Sequence, residues 1–207
     1  MADPATRTAV VVPVRSFVGA KARLSPVLDA DQRAELVRAL ADRVVTAAGP
    51  APVIVVTADG EVAAWATARG AQALADDGRG LDGAAAAGVA RARELGHARA
   101  AVVHADLPLV TDLAPLLAPD GIALAPDRRR DGTNAIALPT DIDFRFAYGP
   151  GSFGRHRAEA ERGGSPATVV EDLAIAFDVD TPEDLADLTA FHHDIAVLLR
   201  VAVGPRT

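Results

Sequence analysis

The chain has 207 residues, half of them hydrophobic but only 4% aromatic, and this length favours one domain with an aliphatic core. Its formal net charge of −7 argues against nucleic acid or an anionic membrane as a partner, because both require a basic surface. The lack of cysteine excludes disulfides and thiolate chemistry, and without a membrane-length apolar run or a signal-peptide core we expect a cytoplasmic protein.

The first half of the chain predicts strands that alternate with helices. Thr8–Val14 is a β-branched run typical of a strand buried on both faces. A helix is predicted from Asp29, because Leu36, Leu40 and Val44 share one stripe at helical spacing. Further strands are predicted over 51–57, 71–75 and 100–104, and further helices over 61–69, 81–95 and 111–117, the last capped by Thr111.

The second half continues the pattern less regularly. Strands are predicted over 121–125, 134–138 and 174–179, and helices over 152–162 and from Thr181, which Pro182 follows at the first helical position. This alternation predicts one α/β domain over 1–207, with three α/β/α layers and a mostly parallel, Rossmann-like sheet. The segment around 121–165 is predicted to form an inserted lobe, and the apolar segment 194–203 fits either a helix or a strand.

Ligands of open α/β sheets bind at the carboxyl ends of the strands, so the loops that follow strands are the candidate sites. Arg15, Lys21 and Arg23 follow the first strand, where cations suit a polyphosphate or simply face solvent. The sequence GRGLDG at 78–83 matches G-x-G-x-x-G, but the preceding strand is poor and ends in two acids. We therefore interpret it as a tight turn whose backbone N–H groups lie near a nucleotide, not as a dinucleotide site.

Carboxylates follow two other predicted strands. Asp106 in HADLP could hold one face of Mg²⁺ or could simply cap a turn. Asp178 and Asp180 in FDVDTPEDL alternate at strand spacing and so share one face, which suits a metal clamp. Asp180 or Thr181 could instead cap the next helix.

Two further loops carry polar residues that a core does not need. Three consecutive arginines in DRRRDGTNA are most simply a solvated charge run. In FAYGPGSFGRH, Gly149, Gly151 and Ser152 precede or begin a helix, where backbone N–H groups and a hydroxyl suit a small anion. His156 is expected to be a surface or packing residue, and no histidine is assigned to a metal.

These segments together resemble a known family. VPVRSFVGAKARLS, GLDGAA, HADLPL, DGTNAIAL, FAYGPGSFGRH and FDVDTPEDL are similar, in this order, to motifs of the guanylyltransferases of coenzyme F-420 biosynthesis, and they span roughly 8–188. The resemblance implies a nucleotide-diphospho-sugar transferase-like fold. It also implies a reaction in which phosphoenolpyruvate or 2-phospho-L-lactate attacks GTP and releases pyrophosphate, and the Ala- and Arg-rich composition favours phosphoenolpyruvate.

The resemblance also implies roles for individual residues. It assigns the acceptor site to Thr133, Gly149 and Ser152, and Mg²⁺ to Asp106, Asp178 and Asp180. It assigns nucleotide binding to Arg15, Lys21, Arg23, Gly80 and Leu81, and a catalytic role to Lys21, Arg23 and Asp106. Arg15 stands where the family usually has lysine, so its donor geometry differs.

Other functions are compatible with the same fold. One is cytidylyl transfer, or another nucleotidyl transfer, to a sugar or alcohol phosphate. Another is a non-catalytic nucleotide-binding domain, which three carboxylates argue against because a pure binder needs fewer metal ligands. A Rossmann dehydrogenase ranks last because of the poor strand before GRGLDG. The sequence leaves the oligomeric state open.

Overall fold

A computed structural model describes residues 8–191, so the ambiguous segment 194–203 lies outside the described residues. Within 8–191, seven strands and seven α-helices follow one another, and a 3-10 turn at Ala22–Leu24 precedes the first helix. The strands are β1 (Thr8–Pro13), β2 (Val53–Thr57), β3 (Gln72–Ala75), β4 (Arg99–Val103), β5 (Ala123–Pro126), β6 (Thr133–Pro139) and β7 (Thr168–Val169). The helices are α1 (Ala30–Ala47), α2 (Gly60–Ala68), α3 (Gly80–Glu94), α4 (Ala114–Leu117), α5 (Ser152–Arg162), α6 (Leu173–Ala176) and α7 (Pro182–Phe191).

The seven strands form one mostly parallel sheet with the order β3-β2-β1-β4-β6-β5-β7. Only β6 runs against its neighbours, antiparallel to β4 and to β5. This reversal brings the start of β6 beside the end of β4, where the His104 N–H donates to the Asn134 carbonyl over 2.9 Å. Residues that begin β6 therefore reach the same edge of the sheet as residues that follow the parallel strands.

Helices cover both faces of the sheet, and β1 shows why. Val10 and Val12 point into a core that contains α1 and α2, whereas Ala9 and Val11 point into a second core that contains α3 and α5. A strand buried on both faces needs apolar residues at every position, which explains the continuous run seen in the sequence. The predicted three-layer α/β/α fold class is confirmed.

A third, smaller core ties together the loops at the carboxyl edge. It joins Leu24 of the 3-10 turn, Leu36 and Leu40 of α1, and Phe177 and Val179 just before α7. Burying these side chains anchors the loop that carries Lys21 against the segment that carries Asp178 and Asp180.

The structure corrects two predicted elements. The helix predicted over 111–117 begins only at Ala114, because the Asp112 side chain accepts the Ala114 N–H over 2.8 Å. The strand predicted over 174–179 is instead the short helix α6 followed by irregular backbone. Asp172 accepts the N–H groups of Ala174 and Ile175 at 2.8 and 3.2 Å, and this cap favours a helical turn over a strand. The short strand β7 was not predicted.

The segment 121–165 contributes β5, β6 and α5, and both strands belong to the common sheet. The description of this segment as an inserted acceptor-binding lobe, and of 1–207 as one domain, stays a prediction.

The packing of α3 on β1 gives a test of the fold. A Cβ atom placed on Gly88 would lie 2.1 Å from Val11 Cγ1, a contact that only a shift of the helix or strand can relieve. We expect Gly88→Ala to destabilise the protein by about 1–3 kcal/mol, as overpacked cores do, measured by urea unfolding. The matched control is Gly154→Ala on α5, where nothing lies within 4 Å of the new Cβ. A Gly88→Ala variant as stable as the control would contradict this packing.

Candidate active site

A cleft of about 570 Å³ opens at the carboxyl ends of β1 and β4. Nearly all the predicted site residues line it: Arg15, Lys21, Arg23, Leu81, Asp106, Thr133, Gly149, Ser152, Asp178 and Asp180. Gly80 is the exception, because it begins α3 with a φ of 74° and does not line the cleft. The structure thus gathers the cations, the carboxylates and the hydroxyls into one place, while their roles stay predictions.

Lys21 lies at the centre of the carboxylate cluster. Its Nζ donates to Asp106 Oδ2 over 2.5 Å and to Asp180 Oδ1 over 2.6 Å, so the two carboxylates lie within reach of one cation. Lys21 also adopts a left-handed conformation, with a φ of 53°, just before the 3-10 turn. A non-glycine residue rarely adopts this backbone, and such strained positions concentrate at functional sites.

Burial and charge act against each other in this cluster. Burial alone would neutralise Lys21 and Asp106, but each stabilises the charge of the other, so the pKa of Lys21 is raised and that of Asp106 is lowered. At Asp178 the compensation from Lys21 and from the residue's own backbone is outweighed. Burial, and then repulsion from Asp106 and Asp180, raise the pKa of Asp178 to about 6. One ammonium therefore does not balance three carboxylates.

The described residues contain no preformed metal-ligand set of three His, Cys, Asp or Glu side chains. Between Asp106 and Asp180 the Lys21 ammonium supplies the cation. The second oxygen of Asp106, Oδ1, is buried and has no hydrogen-bond partner in the region from 8 to 191. A buried, unpartnered carboxylate oxygen and an excess of negative charge are both features expected where a cation binds.

Two hydroxyls line the same cleft as these carboxylates. Thr133 begins β6 and Ser152 begins α5, and their oxygens lie 3.5 Å apart. Gly149, with a φ of 99°, and Gly151, with a φ of 72°, allow the tight turn before α5, in which the Ser152 N–H donates to the Gly149 carbonyl. His156, on the next turn of α5, lies with its Nδ1 3.0 Å from Thr133 Oγ1.

A profile of the family described as "Guanylyl transferase CofC like" matches residues 8–196. The chain belongs to this family. Phosphoenolpyruvate guanylyltransferases of Sphaerobacter thermophilus and Rubrobacter xylanophilus are 42% and 43% identical to it over 190 and 189 residues, covering 87% of the chain and 92% of each relative. The 2-phospho-L-lactate guanylyltransferase of Haloarcula marismortui is 37% identical over 174 residues, covering 81% of the chain and 79% of that protein.

Solved structures show the same fold. A protein of Desulfovibrio desulfuricans G20, described as a nucleotide-diphospho-sugar transferase, superposes on the CofC-like chain with a TM-score of 0.71 at 18% identity, covering 95% of this chain and 98% of that one. Among residues 8–191, no helix of the CofC-like chain has the length and apolar character needed to cross a membrane. The cytoplasmic location stays a prediction.

The arginine run of the CofC-like chain is not simply solvated. Arg128 donates to Asp184 over 2.6 Å and to Asp187 over 3.1 Å, and its guanidinium lies 3.8 Å from the centre of the Phe177 ring. Arg129 donates to the same Asp184 over 3.1 Å and lines the cleft. These contacts hold the loop between β5 and β6 against the segment that carries Asp178 and Asp180.

Asp184 of the CofC-like chain is a functional candidate that the sequence did not single out. Its Oδ2 accepts the N–H groups of Asp180 and Thr181 at 3.0 and 2.9 Å, while Thr181 Oγ1 accepts the Asp184 N–H in a reciprocal helix cap. Burial opposes its ionisation, but these backbone donors and Arg129 lower the pKa of Asp184. Its charge therefore orders the segment that presents Asp180.

We expect Asp184→Asn to destabilise the CofC-like protein by about 3–5 kcal/mol at pH 7, because it leaves Arg128 without its nearly buried partner. The measurement is urea unfolding at pH 7. The exposed Asp187, which also pairs with Arg128, provides the control, and Asp187→Asn is expected to change the free energy of unfolding by less than about 1 kcal/mol. Equal effects of the two variants would show that burial of Asp184 does not matter.

Sequence reasoning also missed His104, Asn134 and Tyr148. His104 Nε2 and the Tyr148 hydroxyl are buried with no hydrogen-bond partner within the described part of the CofC-like chain, and both residues line the cleft. Asn134 donates to the Ile175 and Ala176 carbonyls at 3.0 and 3.1 Å, which fixes β6 to α6. Their positions in the sequence could have indicated two of them, because His104 directly follows a strand and Asn134 lies at the start of another.

Proposed function

We propose that the chain transfers the guanylyl group of GTP to phosphoenolpyruvate, forming enolpyruvyl-2-diphospho-5'-guanosine and pyrophosphate. The observation that carries the proposal is one cleft that holds exposed cations, a carboxylate cluster and a hydroxyl pair. Family membership and the names of the relatives supply the guanylyl donor and the acceptor class. The product places the reaction in coenzyme F-420 biosynthesis, as the sequence resemblance implies.

The reaction joins two anions, so charge repulsion is the main obstacle. Two unit charges 4 Å apart repel by about 4 kcal/mol at an effective dielectric constant of 20. Arg15 and Arg23 are exposed at the rim of the cleft, where they can bind the leaving pyrophosphate. Thr133 and Ser152 line the same cleft, where this hydroxyl pair can donate a hydrogen bond to the acceptor.

The bond changes require no side-chain base. An oxygen of the acceptor phosphate, already ionised near neutral pH, forms a bond to the α-phosphorus of GTP as the bond to pyrophosphate breaks. The leaving group carries its electrons away as an anion. The chain's own task is to align the two substrates and to stabilise the charge that shifts between them.

We also propose Mg²⁺ as the cofactor, held by Asp106, Asp178 and Asp180. Support comes from the unpartnered Asp106 Oδ1 and from a cluster of three carboxylates in which Lys21 pairs with only two, Asp106 and Asp180. When bound, the ion would screen the two phosphorylated substrates from each other. The three carboxylates would hold the ion, while Lys21 holds Asp106 and Asp180 in place.

A pyrophosphate-release assay tests the function. GTP, ATP and CTP are each combined with phosphoenolpyruvate, 2-phospho-L-lactate or 3-phosphoglycerate, with and without Mg²⁺. We expect turnover with GTP and phosphoenolpyruvate in the presence of Mg²⁺. Preference for 2-phospho-L-lactate would favour the activity named for the Haloarcula relative, and nucleotide binding without pyrophosphate release with any pair would refute the proposed function.

A further inference from the structure

His156 is buried, although it lies beside a cleft that binds polar substrates. Its side chain is fully inaccessible to solvent, and the Tyr148 ring packs against it edge-on at 4.9 Å between centroids. Both ring nitrogens nevertheless have partners. The Ala147 N–H donates to Nε2 over 2.9 Å, and Nδ1 lies 3.0 Å from Thr133 Oγ1.

These partners determine which nitrogen carries the proton. A backbone N–H can only donate, so Nε2 must be the unprotonated nitrogen of a neutral ring. The proton then lies on Nδ1, which donates to Thr133 Oγ1. Burial keeps the ring neutral by lowering the pKa of His156 to about 4, although Asp82 and Glu159 favour the charged form while Arg155 and His104 oppose it.

This tautomer determines where the hydroxyl protons of Thr133 and Ser152 can point. Thr133 Oγ1 accepts from His156, so the Thr133 proton must point away from the ring, to Ser152 or to the cleft. If the Thr133 hydroxyl donates to Ser152, the Ser152 O–H is free to point into the cleft. If Ser152 donates to Thr133, the Thr133 O–H points into the cleft instead. Either arrangement leaves one O–H donor for a ligand. With Nδ1 unprotonated, the Thr133 proton would be donated to the ring, so Ser152 would hold the only remaining proton of the pair. If Ser152 then donates to Thr133, as their 3.5 Å contact allows, no O–H faces the cleft.

We infer that His156 is a positioning residue that makes the Thr133–Ser152 pair a hydrogen-bond donor to an anionic oxygen, phosphate or carboxylate, of the acceptor. The inference rests on the proposed function, because that function supplies an anionic acceptor at this end of the cleft. Lone pairs facing such an oxygen would repel it, whereas an O–H donor binds it.

Two substitutions of His156 distinguish the hydrogen bond at Nδ1 from the hydrogen bond at Nε2. Asparagine places an amide near the Nδ1 position and can still donate to Thr133, whereas glutamine reaches the Nε2 position and keeps only the bond from Ala147. We expect His156→Gln to raise the acceptor KM by roughly ten-fold with the GTP KM unchanged, and His156→Asn to raise it less. The matched control is His97→Gln, because His97 lies just before the start of β4, at the end of the strand away from the cleft. This variant should change neither the acceptor KM nor the GTP KM.

A double-mutant cycle tests whether the effect passes through Thr133. In a Thr133→Val background, His156→Gln should change the acceptor KM by less than about two-fold, because the hydroxyl that it directs is gone. An undiminished effect in that background, or a parallel rise in the GTP KM, would overturn the inference and show that His156 only supports the fold.

The tautomer can be measured without turnover. Imidazole ¹⁵N chemical shifts of the wild-type protein between pH 6 and 8 should show His156 protonated at Nδ1, and a proton on Nε2 would overturn the inference whether or not the enzyme is active. If the wild-type protein fails to release pyrophosphate with every substrate pair while the tautomer is as expected, the proposed function fails instead. The two failures are therefore distinguishable.

Discussion

Replacing Asp106 by asparagine is expected to reduce pyrophosphate release by about a thousand-fold or more while the protein remains folded. The substitution preserves the size of the side chain but removes its charge. Burial opposes the ionisation of Asp106, but Lys21 offsets this and lowers the pKa of Asp106, while its Oδ1 is left without a partner among residues 8–191. Losing this charge removes both a partner of Lys21 and a proposed cation ligand.

The assay uses saturating GTP and phosphoenolpyruvate, with circular dichroism as the check on folding. Asp141→Asn is the matched control, because Asp141 is exposed and does not line the cleft, so its activity should equal that of the wild type. An Asp106→Asn variant with activity within ten-fold of the wild type would contradict a role for this charge in the reaction.

Replacing Asp178 by asparagine is expected to stabilise the protein at pH 8 while impairing turnover. Burial and the neighbouring Asp106 and Asp180 raise the pKa of Asp178 from 3.8 to about 6. Because the folded state binds this proton more tightly than the unfolded state, ionisation above pH 6 costs the folded state free energy on the order of 2–3 kcal/mol. Asparagine removes that cost, which corresponds to a rise in Tm of roughly 4–12 °C.

The sign of the effect follows from the direction of the pKa shift. In the wild-type protein, protonation of Asp178 should raise the free energy of unfolding as the pH falls from about 6 to 4. The Asp178→Asn variant should lack this gain. Thermal unfolding at pH 8 and pH 5 measures both. Asp180→Asn is the control, because Asp180 pairs with Lys21 and its loss should bring no stabilisation. A lower Tm for Asp178→Asn at pH 8 would show that its charge is already compensated in the folded protein.

The sequence predicted the strands better than the loops. A run such as that of β1 is apolar at every position, so burial on both faces follows from composition alone. The segment 174–179 was likewise predicted to be a strand, yet it forms α6 and irregular backbone. There Asp172 caps the turn, and the Ala176 carbonyl accepts the Arg128 N–H from a distant loop. A long-range contact of this kind leaves no local pattern, so the local sequence did not reveal the helical turn.

The candidate site was predictable in place but not in detail. The rule that strand ends gather at one edge correctly placed Asp106 in the cleft. Asp178 and Asp180 also line the cleft as predicted, although the segment before them is a helix and not the predicted strand. The rule does not say that Lys21, which we expected at a phosphate, lies between two of these carboxylates. Nor could it find His156, whose partner Thr133 lies 23 positions away and is brought close only by the packing of α5 on β6.

Because β6 is reversed, two separate parts of the chain supply the residues that line the cleft. The basic residues and Asp106 come from loops after strands of the parallel part of the sheet, whereas Thr133, Gly149 and Ser152 come from one contiguous stretch that begins with β6. In the proposed function that stretch binds the acceptor, so we expect substitutions confined to it to change the choice of acceptor more than the use of GTP. Such modularity gives a structural route by which relatives with one nucleotide donor diverge toward different three-carbon phosphates, and it suggests that exchanging this stretch between them would exchange their selectivity.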